Sequence, residues 1–160
     1  MKVIVEIEKA DLVAMNFYVA PRAKSNRIIF SLIFVVFLFV YSLSHELPSA
    51  LISALVITIC GFVGLMIFAL VCSVFYSSEK NGTLGYHKFE VTPEGFHEKT
   101  PSSSSFLEWS AVHDVVVLKN VLYVFQAPWL IHVIPNRHFE SKEHYERFSS
   151  KVMGYWRENA

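Results

Sequence analysis

The sequence predicts an α+β membrane protein, in which a two-helix transmembrane hairpin is joined to a small antiparallel β-sheet with a C-terminal capping helix. Three observations predict it. Residues 28–76 form two apolar runs, about 28–44 and 48–76, separated by Ser44-His45-Glu46-Leu47-Pro48, and neither run carries a formal charge. Residues 84–135 alternate in short β-branched and aromatic stretches punctuated by turn residues. Residues 141–158 then repeat apolar side chains at helical spacing.

A helix rises about 1.5 Å per residue, so about 20 apolar residues cross a hydrocarbon core of roughly 30 Å. Both runs meet that length once their flanks are counted, and tilt absorbs the excess of the second. Two uncharged runs in a 160-residue chain leave too little protein to bury them as soluble core helices. Unpaired backbone groups cost several kcal/mol each in lipid, and two strands cannot close a barrel, so both runs must be helical. Arg22, Lys24 and Arg27 precede the first run, Lys80 and Lys88 follow the second, and the connection between the runs has no Lys or Arg. The positive-inside rule then puts both termini in the cytoplasm. A signal-peptide reading of the first run fits badly, because Glu6, Glu8 and Asp11 precede it and no A-x-A site follows.

The formal net charge is zero and 53% of residues are hydrophobic, so no basic stripe is available for nucleic acid. Cys60 and Cys72 stand twelve residues apart in the second run, about 18 Å on a helix, too far for a disulfide. The same run carries Ala50, Ala54, Thr58 and Gly61 on one small-residue face, suited to packing either on the first span or on another copy of the chain.

In chain order, residues 1–27 hold a strand at 3–8 and a short helix from a possible Asp11 cap to Val19, with Leu12, Met15, Tyr18 and Val19 at helical spacing. That helix lies either at the bilayer surface or on the sheet. The strand is too short to stand alone and must join the sheet formed after residue 84. Residues 77–83 read as the linker out of the membrane. Strands follow at 86–91 and 96–100 around a Thr92-Pro93-Glu94-Gly95 turn, then at 111–118, 122–126 and 129–134. Residues 101–105 read as a polar loop, and the stretch 106–110 resumes an alternation whose inward face the pattern leaves undefined. Pro135 stops the last strand, and Ser141 caps a helix whose apolar face holds Tyr145, Phe148, Val152, Tyr155 and Trp156.

Two N-terminal spans, Glu108-Trp109-Ser110 in a strand, the strand Leu122-Tyr123-Val124-Phe125, and Ile134-Pro135-Asn136-Arg137-His138-Phe139 leading into a capped helix with Phe148 together resemble the YcxB-like proteins of bacteria. The resemblance covers essentially the whole chain and is most specific at the I-P-x-R-x-F turn. It implies a multi-pass protein of the bacterial inner membrane with a pleckstrin-homology-like β-domain over residues 84–160, and it brings no catalytic residue. Trp109, Tyr123, Pro135, Arg137, Phe139 and Phe148 are its signature positions, and their chemistry is mainly structural. Phe139 is placed to pack on Tyr145 as a staple does, and Arg137 to bond carbonyls or a carboxylate in the turn. Of these, Arg137 is the residue best suited to reach a ligand or headgroup.

The seven histidines show no metal-ligand spacing, and neither a nucleophile elbow nor a phosphate-binding glycine loop is present. The expectation is a protein that is not an enzyme and needs no cofactor. Its partners are the bilayer and either an unknown protein or further copies of itself, bound at a sheet edge or in a groove beside the C-terminal helix. The alternative is recognition of anionic lipid headgroups by Arg22, Lys24, Arg27, Lys80 and Lys88. Transport fares worse, since the spans hold no charge to build a polar pathway.

Overall fold

The computed structural model describes residues 1–159. The elements, in order, are β1 (Lys2–Ile7), α1 (Lys9–Val19), α2 (Lys24–Ser42), α3 (Leu47–Tyr76), β2 (Gly85–Val91), β3 (Gly95–Lys99), β4 (Ser104–Glu108), β5 (Asp114–Val117), β6 (Val121–Ala127), β7 (Leu130–Pro135) and α4 (Lys142–Asn159). They fall into two compact units, Met1–Leu12 with Tyr76–Ala160, and Val13–Phe75.

In the first unit, β-branched residues alternate with polar ones and form two antiparallel sheets, β1-β2-β3-β4 and β5-β6-β7, rather than the one sheet expected. β1 pairs with β2 from Lys2↔Glu90 to Ile7↔Gly85. The inward positions of both strands, Val3, Val5, Ile7, Phe89 and Val91, join Phe96, Trp109, Leu122, Ile134, Phe148 and Val152 in one core shared by both sheets and α4. The split into two sheets follows from residues 109–113. Trp109–Ala111 is a turn of 3₁₀ helix, so Trp109 leaves the strand expected for it, and β5 is shortened from 111–118 to Asp114–Val117. The indole is 1% exposed and donates Nε1–H to Thr92 O at 3.0 Å, which anchors the 3₁₀ turn to the β2–β3 turn. β4 in turn begins inside the expected polar loop, at Ser104 opposite Lys99, because the chain reverses there in a turn closed by Thr100 N–H to Ser103 O at 2.9 Å. At the other end of β4 the strands close on Gly95, where a Cβ would stand 2.6 Å from Leu107 O.

The Thr92–Gly95 turn closes through Thr92 N–H to Gly95 O at 3.0 Å. α4 starts where expected: Ser141 Oγ accepts from His144 N–H at 3.1 Å, and Phe139 packs edge-on against Tyr145 and Phe148 with centroids 5.3 and 5.4 Å away. Asp11, by contrast, does not cap α1 from outside. The helix begins two residues earlier at Lys9, and the Asp11 carboxylate reaches back to Glu8 N–H at 2.8 Å, as an acid in the first turn does in a capping box.

In the second unit, α2 and α3 are both long and apolar enough to cross a membrane, with 0% and 6% of their apolar windows buried. α2 starts at Lys24, four residues before the apolar run, so Lys24 and Arg27 form its first turn. Pro48 occupies the first turn of α3, where its missing N–H is not needed. The small-residue face of α3 packs within the unit: Ala50 and Ala54 are fully buried, and a Cβ on Gly61 would sit 3.6 Å from the Phe30 ring. Phe30 and Phe62 meet edge to face at 5.3 Å, and Asn16 donates to the Ser73 hydroxyl.

Candidate functional site

Three polar features of the first unit stand out from its apolar core. The first lies inside it. His87 on β2 and Glu98 on β3 occupy inward positions of one sheet, and His132 on β7 comes from the other. His87 Nδ1 lies 2.8 Å from Glu98 Oε1, and His132 Nδ1 lies 3.0 Å from Oε2. Burial pushes the Glu98 carboxyl up, but the hydrogen bonds from His132 and His87 outweigh it and hold the group at about 2. An ionised carboxylate only accepts, so both Nδ1 atoms carry hydrogen. Both Nε2 atoms are buried without a hydrogen-bond partner. Phe96 and Phe89 rings stand 5.4 and 6.3 Å from His132. The cluster therefore cross-links the two sheets in an apolar setting. Sequence reading missed it because the histidines are 45 residues apart in the chain. The available signal was an inward-phase His87 alternating with Phe89 and Val91.

The second feature is Arg137, in the turn after β7. Its Nη1 and Nη2 donate to the two oxygens of Asp11 at 2.6 and 2.7 Å, and Nη2 also reaches Glu6 O at 2.8 Å and Glu8 Oε1 at 3.3 Å. The partners are thus a carboxylate and a carbonyl, but from the β1–α1 junction rather than from the turn itself. Pairing with Asp11 raises the guanidinium above its ordinary value. The fork ties the N-terminal strand to the end of β7. Replacing Arg137 with alanine is expected to lower the unit's stability by about 1–2 kcal/mol, the value of a bidentate charged bond reduced because the side chain is 36% exposed. Urea unfolding in detergent measures it, and Arg137→Lys should recover only part. No loss in the alanine variant would remove the fork from the fold's support.

The third is an open groove of about 350 Å³ between α4 and the edge strand β5, lined by Val117, Tyr145, Ser149, Met153 and Gly154, with Glu146 and Arg157 among its polar residues. α4 is held onto β5 by Tyr145 Oη to Leu118 O at 2.7 Å and Trp156 Nε1 to Val112 O at 3.2 Å. Ser149 is 2% exposed, and its hydroxyl neighbours the Tyr145 phenol without a hydrogen bond of ordinary geometry. Leu118 N–H bonds Val121 O, so strand alternation turns the main chain of Val115 and Val117 away from β6, toward the open edge. Asp114 Oδ1 already accepts Val115 N–H at 2.8 Å.

Of the other signature residues, Trp109, Tyr123 and Phe148 are buried, Phe139 packs on the core, and Pro135 ends the edge strand β7 opposite Val121. The five cations are divided between the units. Arg22 lies 4.2 Å over the Tyr18 ring, while Lys24 and Arg27 line an open groove of about 500 Å³ with Ile28, Ser31, Leu32 and Val35. Lys80 is exposed in the 77–84 connection, and Lys88 is exposed on β2. Among the described residues no group of three His, Cys, Asp or Glu is arranged to hold a metal ion.

Neither the curated proteins nor the solved structures include a match to this chain. Residues 91–152, which run from the end of β2 through the β4–β5 turn and on into α4, match the model of the YcxB-like protein family.

Proposed function

We propose that this is a non-enzymatic interaction module of the bacterial inner membrane, held there by α2 and α3 with both termini cytoplasmic, and that its pleckstrin-homology-like domain takes an extended peptide strand in the groove between β5 and α4. The apolar surfaces of α2 and α3 support the anchoring, since they are left almost wholly uncovered, and the cations before α2 and after α3 support the orientation. The groove's composition carries the binding reading. An edge strand offers main-chain groups for strand addition, and the adjoining Val117 and Met153 offer an apolar seat for one side chain.

Gly154 sharpens it. Glycine inside a helix costs about 1 kcal/mol relative to alanine, and a Cβ at this position meets nothing within 4 Å, so no packing within the fold excludes a side chain. What its absence supplies is space in the groove. Gly154→Leu is therefore expected to keep or raise stability by up to about 1 kcal/mol while filling the seat. With a photo-crosslinking residue in place of the exposed Ser150 of the full chain in its native membrane, a discrete adduct should form and should fall to background in Gly154→Leu. An adduct of twice the chain's mass would identify a second copy as occupant. An adduct that survives the filled groove would reject this seat.

A further inference from the structure

We infer that the outer face of the β1–β4 sheet, at the end from which the membrane spans leave it, is a docking surface for an anionic bilayer. In an antiparallel meander the β1–β2 and β3–β4 connections emerge at the same end, and here the β1–β2 connection is the segment that contains α2 and α3. Only eight residues, 77–84, separate the end of α3 from β2, a reach of at most about 30 Å.

The two outward rows nearest that end are Glu6–Tyr86 and Ile4–Lys88–Lys99–Ser104. Lys88 and Lys99 are directly opposite each other. Like charges so placed oppose strand pairing, and neither lysine forms an ion pair among the described residues, whereas Lys2 on the next outward row holds Glu90 at 3.1 Å. Glu6 is the one carboxylate in these two rows. Tyr86 and Ile4 flank the lysines at 62% and 59% exposure. An aromatic and an aliphatic side chain beside two uncompensated ammonium groups suit the headgroup region, where the rings and chains lie at the interface and a phosphodiester relieves the Lys88–Lys99 repulsion. The partner that fits is the leaflet itself, because the tether holds this face within its reach and its charge is opposite.

The docking shares with the groove reading only the premise that α2 and α3 lie in lipid. Its test uses the full chain with Cys60→Ser and Cys72→Ser, spin-labelled through Tyr86→Cys, in nanodiscs of phosphatidylcholine alone or mixed with phosphatidylglycerol. A label through Glu143→Cys on α4 is the control. The expected result is that the label at position 86 loses collisions with a water-soluble nickel chelate and gains them with oxygen in the anionic discs only. Lys88→Gln with Lys99→Gln should lower the docked-to-undocked ratio about thirtyfold, about fivefold for each lysine. Its unfolding midpoint should hold or rise, since a repulsion is removed. Equal exposure in both disc types overturns the docking, as does protection that survives the double variant. Protection in both lipids identifies a protein cover, such as a second copy, and also overturns it. Failure of the chain to enter discs at all overturns the membrane premise, and the groove reading's anchoring with it.

Discussion

Replacing Glu98 with alanine is expected to destabilise the β-unit by about 3–5 kcal/mol, the cost of breaking a buried, hydrogen-bonded ionic cluster from one side. The side chain is only 16% exposed, and its loss strands the Nδ1–H groups of His87 and His132, which already have unpartnered Nε2 atoms. The polar link from β2 and β3 to β7 is lost at the same time. The pH dependence follows from the carboxyl group alone. Its folded value of about 2 lies below the ordinary 4.5, so its contribution is complete above about pH 4.5 and is lost as the pH falls toward 2. The difference amounts to about 3 kcal/mol at neutral pH. Glu98→Gln keeps the shape and removes the titration. Urea unfolding of the wild type and Glu98→Gln should therefore differ by that amount near neutrality and converge as the pH approaches 2. A gap that stays constant over this window would mean that Glu98 is not held by the two histidines.

Trp109→Ala should lower stability by about 3–5 kcal/mol, since it empties a fully enclosed indole site and frees Thr92 O from its donor. The ring also sits 6.3 Å from Phe96 and 5.9 Å from Tyr155, so it joins the first sheet to α4. Trp109→Phe restores part of the volume but no donor, and should cost less than the alanine variant by more than about 1 kcal/mol. With Trp129→Phe in the background of each variant, Trp156, bonded to Val112 O, remains as the fluorescent reporter of α4 docking. Equal losses in the two variants would assign Trp109's role to the hydrogen bond rather than to packing.

The two long apolar helices, most strands and α4 were legible because each is written in a local pattern. The runs 28–44 and 48–76 carry no formal charge, β1 and β2 alternate, and Ser141 precedes a regular apolar face. Phe139 against Tyr145 was legible for the same reason, being a contact across one helix start. Trp109 was misread as a strand residue because its alternation continues through Ser110, while the turn that breaks it depends on a carbonyl at Thr92, seventeen residues earlier. Asp11 was read as a cap from its position alone. Its bond to Glu8 N–H is local, but its bond to Arg137, 126 residues away, depends on β1 lying beside β7.

By itself the sequence determined the apolar hairpin, the order of strands and the closing helix, because hydrophobic period and turn chemistry act between residues a few positions apart. Only the tertiary structure decided that the strands form two sheets, that Glu98 joins His87 to His132, that Arg137 holds Asp11, and that a groove opens between β5 and α4. Those are meetings of side chains distant in sequence, and no local pattern encodes which buried charge finds which partner when two faces close.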